Sequence, residues 1–167
     1  MPSSRTLVLD HHTIAQKIKR ITYQIYERNY DEKEIVLVAV EKKGVELAAR
    51  IEPQLKEVSG MKVRTIHLTI NKKEPLKPIK LSADGDELKN KPVVLIDDVL
   101  NSGKTLIYAA RHILNYPVKK LITVVLVDRR HRRYPIKADY VGMTLSTTLQ
   151  DHISVEFKKG DDRVYLE

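Results

Sequence analysis

The chain contains no cysteine in 167 residues. Disulfides and thiolate metal sites are therefore excluded, and a reducing cytoplasm is the compartment expected. No apolar run approaches the roughly 18 residues of a membrane span, so no membrane partner is expected. Met1 to Asp10 has no apolar core of the kind a secretory signal needs. Repeats, low-complexity tracts and linkers are missing as well. The six histidines, His11, His12, His67, His112, His131 and His152, show no ligand spacing with nearby acids. A metal held by the protein alone is accordingly not expected.

What is present describes a globular chain. Hydrophobic residues make up 42% and charged residues 31% of a length that suits one domain with a sizeable core. Thirty Lys and Arg against 22 Asp and Glu leave a net charge of +8. That balance favours anionic partners such as phosphates or RNA, although lysines scattered along the whole chain also serve solubility.

The periodicity reads as alternating helices and strands. Asp10 is placed to cap a helix in which Ile14, Ile18, Ile21 and Ile25 recur at spacings of 4, 3 and 4. This helix should run to about Arg28. Ile35–Val40, Pro92–Asp97 and Leu121–Val127 are continuous apolar runs, as expected of strands buried on both faces. Met61–Leu68 reads as another strand. Helices should open at Gly44, with Val45, Leu47, Ala48 and Ile51 inward, and at Thr105, ending at Leu114. Residues 69–90, with Pro75 and Pro78, read as a long mobile loop or an edge hairpin. Tyr140–Val141, Ile153–Phe157 and Arg163–Leu166 read as short strands, for which an antiparallel arrangement is expected. The fold class is thus α/β, a mostly parallel sheet with helices on both faces.

In such sheets ligands sit at the carboxyl ends of the strands, and the most specific motif lies there. The run Val93–Ile96 ends in Asp97 and Asp98. Asn101, Ser102, Gly103, Lys104 and Thr105 follow and lead into a helix. Two acids at a strand end can hold vicinal hydroxyls or a metal-bound sugar. A Ser-Gly-x-Thr turn at a helix start offers N–H groups, two hydroxyls and the positive helix end to a phosphate. A sugar phosphate meets both demands. The competing readings are a solvated strand–turn–helix and a phosphate-binding loop ending in Gly103-Lys104-Thr105. The second needs a glycine five residues earlier, where Asp98 stands. Glu41, Lys42, Lys43 and Gly44 form a cationic turn between a buried strand and a helix, suited to a diphosphate. Asp128-Arg129 lies at a third strand end.

The Val93–Thr105 stretch resembles the signature of the type I phosphoribosyltransferases. The resemblance implies phosphoribosyl pyrophosphate as substrate, with Asp97 and Asp98 on the ribose hydroxyls as the catalytic pair. It assigns Asn101 to Thr105 to the 5-phosphate, and Glu41 to Gly44 to the pyrophosphate, in a loop that often carries a non-proline cis peptide. It implies Mg²⁺ arriving with the pyrophosphate, and a twisted sheet with a small hood. The segment Leu126–Gly142 narrows the likeness. Together with Leu7–Asp10 and Glu27–Asn29, it resembles the pyrimidine-operon attenuation regulators that double as uracil phosphoribosyltransferases. That subfamily implies one domain over residues 1–167, a mobile loop near 69–90 and a nucleobase hood near 127–167. Val127, Asp128 and Arg129 would meet the base, largely through main-chain groups. It also implies a homo-oligomer, a dimer or tetramer.

The expected reaction is transfer of ribose 5-phosphate to a nucleobase, uracil by resemblance. The alternative is an RNA-binding attenuation regulator that senses nucleotide. For RNA, the first helix offers Lys17, Lys19, Arg20 and Arg28, with mRNA the implied partner; the polar face of an amphipathic helix accounts for the same residues. The chain departs from the subfamily at several places. Arg130 stands where glycine is usual, and Tyr23 where a histidine is expected. Asn101-Ser102-Gly103-Lys104-Thr105 replaces Tyr-Thr-Gly-Arg-Thr. Asn71-Lys72-Lys73-Glu74 replaces Tyr-Arg-Asp-Asp in a shorter loop, leaving Lys72 or Lys73 to clamp pyrophosphate.

Overall fold

Asp10 caps helix α1 (His11–Arg28), its carboxylate accepting from the Thr13 N–H at 2.8 Å. The four isoleucines of the expected face are at most 2% exposed. Each contributes about 1.5–3 kcal/mol relative to an exposed side chain. The computed structural model describes residues 4–167, so Met1, Pro2 and Ser3, the start of the stretch lacking a signal-like core, lie outside the described residues. No helix of the described residues is long and apolar enough to cross a membrane.

The three apolar runs form β2 (Glu34–Val40), β5 (Pro92–Leu100) and β6 (Lys120–Asp128). They lie adjacent and parallel at the centre of a six-stranded sheet. β3 (Lys62–Thr69) extends the sheet in parallel on one side, and β7 (Tyr140–Thr144) on the other. Alternate residues feed two cores, as the two-residue period of a strand requires. Ile35, Leu37, Ala39, Val94 and Ile96 pack with α1 and helix α2 (Lys43–Ser59). Val36, Val38, Val40, Val93 and Leu95 pack with helix α3 (Lys104–Ile113) on the other face.

Four expectations change. Tyr140–Val141 lies in a strand parallel to β6, because it returns after a crossover rather than a hairpin. α3 spans Lys104–Ile113 rather than Thr105–Leu114. β5 runs three residues past Asp97, where Val99 and Leu100 still pair with Val127 and Asp128. Val45 is half-buried, whereas Leu47, Ala48 and Ile51 are fully buried. In residues 69–90 the edge hairpin is present. β4 (Lys80–Leu81) pairs antiparallel with β3, and Ser82 Oγ accepts from the His67 N–H at 2.9 Å.

A second, three-stranded antiparallel sheet joins both chain ends. β1 (Thr6–Leu9) pairs with β9 (Arg163–Leu166), which pairs with β8 (Ile153–Glu156). An ion pair between half-buried Arg50 and buried Asp162 ties this sheet to α2. Arg50 grips Asp162 through two bonds of 2.6 and 2.7 Å and lies over the Phe157 ring. His11 Nδ1 accepts from the Asp162 N–H at 3.0 Å, adding α1 to the junction.

Candidate active site

The carboxyl end of β5 and the starts of α2 and α3 border a cleft of about 300 Å³. Asp97 and Asp98 line it. Asp97 is 3% exposed, and its carboxylate accepts from the Asp98 N–H at 2.9 Å. Burial, then repulsion from Asp98, raises the Asp97 pKa well above the usual carboxylate range; Lys72 opposes the rise. The Lys72 ammonium stands 3.9 Å from Asp97 Oδ1.

Asn101 to Thr105 all line the same cleft. Gly103 precedes α3 at φ +89°, a conformation that side chains rarely adopt. A Cβ there would also stand 2.8 Å from the Ile136 side chain. Gly103 gives α3 no side-chain cap, and beyond Lys104 the N–H groups of the first turn stay available to an anion. Ser102 fixes the loop from behind. Its carbonyl accepts from the Arg133 and Tyr134 N–H groups at 2.8 and 3.1 Å, and its hydroxyl accepts from the Lys104 N–H at 3.3 Å.

The second cationic turn is only partly in the cleft. The Glu41–Lys42 peptide is cis, and Lys43 lines the cleft. Glu41 instead turns to β3, accepting from the Thr69 hydroxyl at 3.1 Å. Lys42 is exposed outside the cleft. Gly44 lets α2 approach β5: a Cβ would stand 2.6 Å from the Ile96 carbonyl oxygen. Lys73, next to Lys72, does not line this cleft. Its N–H closes a turn on Asn71 Oδ1 at 3.1 Å.

Val127, Asp128 and Arg129 do not line the cleft. The Arg129 N–H donates to Leu100 O at 3.0 Å, and Asp128 O accepts from Leu145 N–H at 2.9 Å. The Asp128 carboxylate accepts from the Arg130 N–H at 2.9 Å. Arg130 sits at φ +63°, a conformation that glycine adopts freely and side chains rarely do. Among the α1 cations, Arg20 is committed to β7 through Val141 O and Gly142 O at 3.0 and 2.8 Å. Lys19 and Arg28 are exposed and Lys17 is half-buried. None of the four lines the cleft.

Two polar cleft residues escape sequence reasoning. His152 and Ser154 reach it from β8 and the residue before it. Only the assignment of residues 127–167 to a hood points in their direction. What converges can hold a sugar phosphate: paired carboxylates, a helix start with two hydroxyls, and three lysines, Lys43, Lys72 and Lys104.

The chain matches the family model described as phosphoribosyl transferase domain over residues 4–159. It is 35% identical over 162 residues to the bifunctional protein PyrR of Streptococcus pneumoniae strain CGSP14, covering 93% of this chain and 92% of the relative. PyrR from strain TIGR4 of the same species gives the same values. Among solved structures, it resembles a hypoxanthine phosphoribosyltransferase of Trypanosoma cruzi, with TM-score 0.74 and 20% identity over 89% of this chain and 84% of the other. A hypoxanthine-guanine phosphoribosyltransferase of Bacillus anthracis gives TM-score 0.70 and 24% identity over 85% and 84%. These structural likenesses establish the fold.

Proposed function

The chain belongs to the phosphoribosyltransferase domain family, and from that premise we propose that it transfers the ribose 5-phosphate of phosphoribosyl pyrophosphate to uracil, releasing pyrophosphate. The observation that carries this reading is the meeting of Asp97, Asp98, Asn101–Thr105, Lys43 and Lys72 around one cleft. Ser102, Thr105 and the open start of α3 take the 5-phosphate. Asp97 and Asp98 take the ribose hydroxyls and face the anomeric carbon as it gains positive charge. A uracil ring nitrogen attacks that carbon as its bond to pyrophosphate oxygen breaks. Lys43 and Lys72 receive the charge of the leaving group. Catalysis is then positioning and charge stabilisation, with no covalent nucleophile.

The residues fit Mg²⁺, a hard ion that prefers oxygen. Adjacent carboxylates line the cleft, and pyrophosphate oxygens would complete its shell. When bound, the ion supplies positive charge against the leaving pyrophosphate. The same proposal includes a single cytoplasmic domain, assembled as a homodimer or homotetramer, with residues 69–90 closing over the substrate.

A second reading, RNA binding by an attenuation regulator, draws on α1. Lys19 and Tyr23, four residues apart and both exposed, share a helix face away from the cleft. A cation beside an aromatic suits an unpaired base. Asp98→Asn separates the two activities. Transfer should fall at least 100-fold while affinity for a pyrimidine-operon leader RNA stays within twofold. Unchanged transfer would overturn the ribose assignment.

A further inference from the structure

The Arg129 side chain joins three separate pieces of chain. Nη1 donates to Asn101 Oδ1, in the phosphate loop, at 3.2 Å. Nε donates to Thr147 Oγ1 at 3.1 Å, and Nη2 donates to Thr148 O and Asp151 O at 3.1 and 2.8 Å. Nη2 also lies 3.1 Å from His131 Nδ1. A guanidinium carries five N–H donors and no acceptor, so these contacts leave at most one N–H for a ligand. Arg129 therefore acts through its neighbours.

The donor-only or acceptor-only character of these partners fixes two orientations. Asn101 must turn its carboxamide oxygen to Arg129, which leaves the NH₂ group as the part offered to the cleft that Asn101 lines. His131 turns Nε2 to Thr147 O at 2.5 Å, and a carbonyl only accepts, so Nε2 carries a hydrogen. The 148–151 turn is closed on itself, the Thr148 N–H donating to the Asp151 carboxylate at 2.7 Å. The next residues, His152 to Val155, line the cleft. Through one side chain, the phosphate loop and the turn leading into a second lining segment of the cleft are thus connected.

We propose, building on the transferase reading, that Arg129 is a positioning residue that clasps the phosphate loop to the 147–151 turn and aims the Asn101 NH₂ group at an acceptor oxygen of the bound substrates. A phosphate oxygen of phosphoribosyl pyrophosphate and a carbonyl oxygen of the base share this chemistry.

The test uses the full chain with phosphoribosyl pyrophosphate, Mg²⁺ and uracil. Arg129→Lys keeps the charge but loses the fork, and Asn101→Ala removes the amide. Each should lower kcat/KM at least tenfold. Together they should cost no more than about threefold beyond the worse single variant, because both break one connection. Asn101→Asp still accepts from Arg129, so its melting temperature should hold, but it offers the cleft an acceptor instead of a donor. Its KM should rise at least tenfold for phosphoribosyl pyrophosphate if phosphate is the partner, or for uracil if the carbonyl is. Additive losses in the double variant, or unchanged KM values in Asn101→Asp, would overturn the proposal. If the wild-type chain turns over no base, the transferase reading fails, and hydrogen exchange then decides on the clasp. Amides 145–151 should exchange at least tenfold faster in Arg129→Lys, and unchanged exchange would overturn it.

Discussion

Gly44→Ala tests how the fold sets the geometry of the site. Its Cβ would stand 2.6 Å from the Ile96 carbonyl oxygen and 3.2 Å from the Asp97 Cα. Ordinary contact begins at 3.4 Å, so the closer pair falls short by about 0.8 Å. Both neighbours are backbone of a central strand and cannot swing aside. The start of α2 must move instead, and Lys43 moves with it relative to Asp97. Overpacking of this kind costs about 1–3 kcal/mol. For a chain of this size that lowers the melting temperature by about 2–4 °C per kcal/mol. A misplacement approaching 1 Å near the reacting groups also costs up to about 100-fold in rate. The assay pairs thermal unfolding with pyrophosphate release at varied phosphoribosyl pyrophosphate. Gly60→Ala serves as the control. Gly60 closes α2 at φ +66° with nothing within 4 Å of the added methyl group. Its backbone strain should cost about 1 kcal/mol and leave KM unchanged. A Gly44→Ala protein with wild-type stability and KM would refute the claim that this close approach sets the site.

Three further outcomes follow from named contacts. Asp97→Asn should raise the melting temperature at pH 7 while lowering transfer at least 100-fold, a trade common at active sites. Its pKa is raised in the folded chain, so the folded state holds the proton longer and stability falls as pH rises from the unfolded value through the folded one. The variant should lack that fall when unfolding is followed against pH. Lys72→Ala removes the cation opposing this rise, and should weaken binding of phosphoribosyl pyrophosphate about tenfold in a titration, the worth of one charge-assisted contact. Asp162→Asn breaks the ion pair between the small sheet and α2, leaving Arg50 half-buried and unmatched; urea unfolding should show a loss of about 3 kcal/mol.

What was legible in the sequence was local or highly repetitive. The isoleucine spacing and Asp10 define α1, and each apolar run becomes a central strand, because burial on both faces leaves a plain mark in composition. β1 left no such mark. It is four residues long, and it forms by pairing Thr6 with Leu166 at the far end of the chain. The extension of β5 past Asp97 depends on main-chain bonds to β6, to which side-chain pattern is blind. At the site, the acids and phosphate loop are contiguous in sequence and were read together. His152 and Ser154 arrive from β8 and the residue before it, some fifty residues away, so only the fold brings them to the cleft. The partners of the Arg129 guanidinium, Asn101 and the 147–151 turn, lie about twenty or more residues away, so only the fold reveals them.

The most direct measurement is pyrophosphate release from phosphoribosyl pyrophosphate and Mg²⁺, with uracil, guanine, hypoxanthine, adenine and orotate supplied separately. Turnover with uracil alone is the predicted result. Turnover with a purine base instead, or no release with any base from a protein that still binds phosphoribosyl pyrophosphate, would contradict the account.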